Sequence, residues 1–241
     1  MVASYHSLTI EDALKAVGSS LEGLTAQEAE KRLGEYGYNE LQKEKGVSAW
    51  EIFFRQFTSW LVILLIIAGV LSLFVGDLVE SIAIFVIVIL NSLFGFFQEY
   101  KAEKAIEALQ KLAEPYARVI RDGKEIKILA KKLVVGDIIL LEAGDIVSAD
   151  SRLIKEFNLQ ADEASLTGES VPVSKKIDVL KSNISVFDRK NIVYSSTSIS
   201  SGKGKAVVIS TGMNSEIGKI ARTIQFTKES ETPLQIKFKE M

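Results

Sequence analysis

The sequence predicts a membrane protein of mixed class: a two-helix transmembrane hairpin, a helical stalk, a mostly β cytoplasmic domain and a small helical N-terminal segment. Three observations carry this. Residues 56–76 and 81–98 contain no formally charged side chain. Both runs are apolar around the whole helix rather than along one stripe, as a span is and a surface helix is not. After Pro115 the helical period gives way to short β-branched runs punctuated by Gly-Asp.

A chain of 241 residues holds one or two domains. Lys and Arg (29) nearly balance Asp and Glu (31), and a net charge of −2 gives no basis for a nucleic-acid partner. Without cysteine there is neither disulfide nor thiolate metal site, and the single histidine, His6, cannot make a His-based one. His6 is read as a solvated surface residue, and no metal ligands are assigned.

At about 1.5 Å of rise per residue, both apolar runs match a hydrocarbon core about 30 Å thick. They are assigned as transmembrane helices over 51–76 and 78–98. A buried hairpin of a large soluble protein is the competing reading, and the lack of any polar face weighs against it. The first run starts too far from the N-terminus for a signal peptide. The connection Asp77-Leu78-Val79-Glu80 is acidic and too short for anything but an antiparallel hairpin, with Glu80 at the outer interface. Arg55 lies on one outer flank and Lys101 and Lys104 on the other, so the positive-inside rule places both long flanking segments in the cytoplasm. Residues 99–114 continue the second helix as a stalk. Gln98–Leu112 is rich in helix formers, with Ala105, Ile106, Leu109 and Leu112 on one face, and Pro115 ends it.

Residues 1–50 form the helical N-terminal segment. Thr9 and Thr25 stand where N-caps belong, each followed by a short amphipathic run that glycine closes. Residues 115–224 form the β domain. Asp122-Gly123 marks a hairpin between Tyr116–Arg121 and Lys124–Leu129. Asn191–Ser200 and Lys205–Thr211 read as strands around a turn at Ser201-Gly202-Lys203-Gly204, which lacks the setting of a phosphate loop. A helix is expected from Asn214 or Ser215 to Ile224, then a linker over 225–241 toward a missing third span.

Between these strands lies Ser165–Val173, SLTGESVPV. Glycine lets a backbone approach a ligand closely, a glutamate accepts a proton, and hydroxyls bond phosphoryl oxygens. Locally this supports a plain turn as well as a reactive loop. The wider pattern favours the second. The stretches LTAQEAEKRLGEYGYNEL, FFQEYKAEKAIEALQKL, VVGDIILLEAGDIVSAD, DEASLTGESVPVSK, NIVYSSTSISSGKG, TGMNSEIGKIA and ETPLQIK run nearly the whole length of the chain. With them the chain resembles the front of a P-type cation-transporting ATPase, in the style of the calcium-pump branch.

That resemblance implies that 115–224 is an actuator domain with a distorted jelly-roll-like fold. It implies that Glu169 orients and activates the water that hydrolyses an aspartyl phosphate. Gly168 would allow close approach, Thr167 and Ser170 would shape the loop, and Pro172 would stiffen its exit. ATP and Mg2+ would serve the full-length enzyme, with none bound by this part alone. The partners implied are the lipid bilayer, the phosphorylation and nucleotide-binding domains of the same pump, and the transported cation. No Asp-Lys-Thr-Gly-Thr sequence occurs here, so the phosphate-accepting aspartate is expected elsewhere and this piece is expected to be inactive alone. A proton or sodium pump is the alternative to calcium; a self-sufficient hydrolase and a membrane-tethered binding or scaffold module are the alternatives to a pump. Two departures from the family pattern stand out: Ser196-Thr197 where Gly-Thr is usual, and Ser148 where proline is usual. The first touches a backbone position that could need positive φ.

Overall fold

The computed structural model describes residues 4–41, 48–112 and 114–228. Of these, residues 4–41 and 115–228 belong to one compact unit and residues 48–112 to a second. The N-terminal helices of the first unit begin as their caps dictate. The Thr9 and Thr25 hydroxyls accept the N–H of Asp12 and of Glu28, each at 3.1 Å, opening α1 (Ile10–Ala16) and α2 (Ala26–Tyr36). Gly37, at φ +79°, ends α2.

These helices are not a piece apart from the β domain, as a boundary at residue 50 would have them. Leu14 and Val17 share a core with Ile120, Ile138 and Val207, while Leu24 and Ala29 pack on Val134. His6 is likewise not a solvated residue. It is 2% exposed, its Nε2 lies 3.2 Å from the Ser182 carbonyl, and burial lowers its pKa. A contact 176 positions along the chain leaves no trace in local sequence.

The strands β1 (Tyr116–Arg121), β2 (Lys124–Leu129), β3 (Ile138–Glu142), β4 (Asp150–Asp162), β5 (Val173–Ser174), β6 (Ile192–Val193) and β7 (Ser198–Ser210) form one antiparallel sheet. Its order is β2-β1-β3-β7-β4-β5, with β6 also on β4. The β1–β2 hairpin turns at Asp122 and Gly123, both at positive φ, in the register Arg121↔Lys124. Inward-facing Val119, Ile139, Leu141, Leu153, Leu159 and Val208 fill the core.

The turn expected at 201–204 is absent, because β7 runs straight through it. Gly202 and Gly204 serve close approach instead. A Cβ on either would run into the β4 backbone, at Phe157 and Asn158 or at Lys155. There β4 shifts register against β7 in a series of bulges. The last helix, α7, covers Glu216–Lys228, starting close to where it was expected and passing Ile224 by a turn. The remaining residues of the expected linker, 229–241, lie outside those described, as does the ETPLQIK stretch.

In the second unit the run over 51–76 is not one helix. It divides into α3 (Ala49–Gln56) and α4 (Trp60–Val75), bent by 56°. The reason is local: the Thr58 hydroxyl donates to the Arg55 carbonyl at 2.8 Å, and Ser59 takes the extended backbone of an N-cap. The connection to the next helix is shorter than Asp77–Glu80. Gly76 caps α4 at φ +99°, and α5 begins at Leu78. The α5 helix is continuous from Leu78 to Leu112, joining the segments assigned to the second span and to most of the stalk.

Helices α4 and α5 pack through small residues. The Ser81 hydroxyl donates to the Gly69 carbonyl at 2.8 Å, and a Cβ at Gly69 would stand 3.2–3.3 Å from Ile84 and Phe85. At the α3 end, Glu99 accepts from Arg55 at 2.8 Å and from Gln56 at 2.7 Å. Large apolar side chains face outward along both helices, Phe74 at 84% and Val79 at 82% exposure among them. Among the described residues one helical segment, Leu78–Ile106, is long and apolar enough to cross a membrane, and the bent α3–α4 pair gives a second if it is one span.

Candidate functional site

The four residues singled out in sequence lie together where β4 leaves the sheet. After Asp162 the chain makes one helical turn, α6 (Ala164–Thr167), and then the αL residue Gly168 at φ +77°. Thr167 is therefore the last helical residue rather than part of an irregular loop. The Glu163 carbonyl collects three donors: the N–H of Leu166 at 2.8 Å, the N–H of Thr167 at 3.0 Å and the Thr167 hydroxyl at 3.1 Å. The same hydroxyl accepts the Glu169 N–H at 3.1 Å. Thr167 thus works as a clamp, tying the Glu169 backbone back to the end of the strand.

Gly168 is required by conformation rather than by crowding. Its φ is the αL value that glycine tolerates best, and nothing lies within 4 Å of where a Cβ would sit. Glu169 and Ser170 are exposed, and neither side chain has a hydrogen-bond or ionic partner among the described residues. Two grooves of this unit lie away from the loop, one beside Arg118, Lys155 and Lys203, the other beside His6, Asp150 and Arg189.

Several residues around the loop were not flagged by the sequence. Glu163 and Lys175 form a buried ion pair under it, 2% and 1% exposed. Burial pushes the Glu163 carboxyl up and the Lys175 ammonium down, each against its charged form, while each partner's charge pulls back. Lys175 also donates to the Ile192 carbonyl at 2.9 Å and lies 5.5 Å from the Tyr194 ring centre. The Ser165 hydroxyl donates to the Ser196 carbonyl at 3.0 Å, linking the loop to the turn Tyr194–Thr197. Ser196 has φ +67°, in the left-handed region that favours glycine.

Two buried charges on β4 fasten the scaffold. Arg152, fully buried, donates to the carbonyls of Tyr5, Leu8, Leu153, Ile177 and Asn191, and burial lowers its pKa to about 10. Asp150 accepts the N–H of Ser195 at 2.8 Å and of Glu216 at 2.7 Å, the latter at the start of α7. Burial nevertheless raises its carboxyl to about 6.

Comparison with known proteins adds what geometry alone does not. Residues 111–225 match the P-type ATPase actuator domain, and residues 5–72 match the cation transporter/ATPase N-terminus. A calcium-transporting ATPase of Lactococcus lactis is 38% identical over 98% of this chain and 27% of its own length. One of Bacillus subtilis is 40% identical over the same shares. A sodium/potassium exporting P-type ATPase of Schizosaccharomyces pombe is 43% identical over 83% of this chain and 20% of its own. The chain therefore spans about a quarter of the length of these two bacterial relatives. With the actuator match centred on the clamped Thr167–Ser170 loop, the chain belongs to the P-type cation-transporting ATPase family.

Proposed function

We propose that this chain is the N-terminal part of an ATP-driven pump for Ca2+. Residues 115–224 act as its actuator, and the Thr167–Ser170 loop promotes hydrolysis of an aspartyl phosphate borne by another part of the same pump. The observation that carries this is Glu169: an unpartnered carboxylate at the apex of a loop held from beneath. An acyl phosphate hydrolyses quickly when a water is aligned with the breaking bond and relieved of a proton. Glu169 takes that proton as the water oxygen attacks phosphorus. The bond from phosphorus to the aspartate oxygen breaks, leaving inorganic phosphate and a free carboxylate. Gly168 lets the loop reach the phosphoryl group, Thr167 fixes the Glu169 backbone, and the Ser170 hydroxyl faces the phosphoryl oxygens.

ATP and Mg2+ serve the whole pump. Among the described residues no three His, Cys, Asp or Glu side chains gather as a metal site. The outward apolar side chains of α4 and α5 suit a lipid bilayer, with both long flanking segments on the cytoplasmic side. Actuator rotation would then reach the ion path along the covalent chain, through the stalk and through residues 225–241.

Calcium rests on the names of the bacterial relatives, and the S. pombe relative supports a second reading, sodium or potassium export. ATP hydrolysis by the purified full-length protein, titrated with each cation, decides between them. Stimulation by Ca2+ is expected, and stimulation by Na+ or K+ alone overturns it. Glu169→Gln in that protein should preserve phosphoenzyme formation and slow its decay.

A further inference from the structure

Beneath the Thr167–Ser170 loop lies a charge pair that this chemistry does not use. Glu163 and Lys175 bind each other in the interior, each six residues from Glu169, one on the way into the loop and one on the way out. The ladder that closes the excursion is two residues long, Gln160↔Ser174 and Ala161↔Val173. So short a strand pairing holds a loop only weakly by itself. The Lys175 N–H on the Leu159 carbonyl at 2.9 Å and the Ser165 hydroxyl on the Ser196 carbonyl at 3.0 Å add main-chain fixation, and the ion pair adds a side-chain tie between the two ends of the loop. Lys175 is anchored on the Ile192 carbonyl at 2.9 Å, and it holds the Glu163 side chain. The Glu163 carbonyl holds Thr167, whose hydroxyl holds the Glu169 N–H. One connected path therefore runs from the sheet to the reactive residue.

We infer that Glu163 and Lys175 are positioning residues for Glu169, setting where its carboxylate meets the water and the phosphoryl group. The inference rests on reading Glu169 as the group that activates water. Two apolar side chains could have filled this space without stranding charge in the interior. An ion pair held in the interior ties the two side chains to each other, since separating them would leave each charge buried alone, and a misplacement of about 1 Å at a reacting group costs about 100-fold in rate.

The test is phosphoenzyme decay in the full-length pump. Lys175→Met is expected to slow decay about 100-fold while phosphoenzyme from ATP reaches the parental level. Glu163→Gln, which keeps an acceptor for the ammonium, is expected to stay within about tenfold of the parent. Should Lys175→Met fail to accumulate, the double variant Glu163→Met with Lys175→Met removes both charges together and is expected to show the same slow decay. Parental decay in Lys175→Met or in the double variant overturns the inference, as does a matching loss of formation and decay. Glu169→Gln, assayed alongside, separates the two readings. If it decays slowly while Lys175→Met does not, only the role of the pair fails. If it decays at the parental rate, the water-activation reading fails.

Discussion

Replacing Ser196 with glycine should stabilise the actuator domain. Ser196 sits at the third position of the turn Tyr194–Thr197, closed by the Thr197 N–H on the Tyr194 carbonyl at 3.3 Å. Its φ of +67° is that of the matching position in a type II turn, which favours glycine. Left-handed backbone costs an L-residue about 1–2 kcal/mol. Glycine's greater freedom in the unfolded chain takes back about 0.4–1 kcal/mol. The Ser196 side chain is exposed, and the bonds at this position use the main chain: N–H to the Val147 carbonyl at 2.9 Å, and carbonyl from the Ser165 hydroxyl at 3.0 Å. The net gain is then about 0.5–1 kcal/mol, or roughly 2–4 °C in Tm. Thermal unfolding followed by circular dichroism, parent and variant side by side, reads it. Ser195→Gly is the control: that residue is not at positive φ and its hydroxyl donates to the Ser148 carbonyl at 3.3 Å, so glycine there should lower Tm. A Tm for Ser196→Gly at or below the parent's would refute the reasoning.

Other expectations follow from buried charge and from the second family departure. Arg152→Met strands five carbonyl acceptors, and a loss of about 3–5 kcal/mol is expected in urea unfolding, with earlier protease cleavage near Tyr5–Leu8. Asp150 has a folded pKa of about 6 against 3.8 unexposed to burial, so the folded state holds this proton more tightly than the unfolded one. Its contribution to stability is full below the unfolded value and is lost as pH rises through the folded one, a change of about 3 kcal/mol. Urea midpoints from about pH 4 to 7 should therefore fall more steeply for the parent than for Asp150→Asn; equal slopes would exclude it. Ser148→Pro should change stability by no more than about 1 kcal/mol, in the stabilising direction, because among the described residues the Ser148 amide donates no hydrogen bond. A larger loss in the same unfolding assay would show that the ring does not fit.

The features legible in the sequence were those written in adjacent residues. Thr9 and Thr25 cap the helices that follow them, Asp122-Gly123 makes the hairpin, and Thr167–Ser170 lie together because they are consecutive. Features set by distant contacts were not legible. His6 is buried by a partner far along the chain, and Gly202 and Gly204 looked like a turn because nothing local announces the bulged β4 strand beside them. The bend after Gln56 was hidden by an unbroken apolar pattern, although Thr58 and Ser59 are the residues that make it. Glu163 could have been found. It continues the inward alternation of Leu159 and Ala161, both fully buried, and a carboxylate at such a position requires a cation.

The central claim is that Glu169 activates the water that cleaves an aspartyl phosphate. The direct measurement loads the full-length pump with radiolabelled phosphate from ATP, chases with unlabelled ATP, and follows the label on parent and Glu169→Gln. Loss of a general base predicts full labelling with decay about 10²–10⁴-fold slower. Full labelling with decay at the parental rate would contradict it.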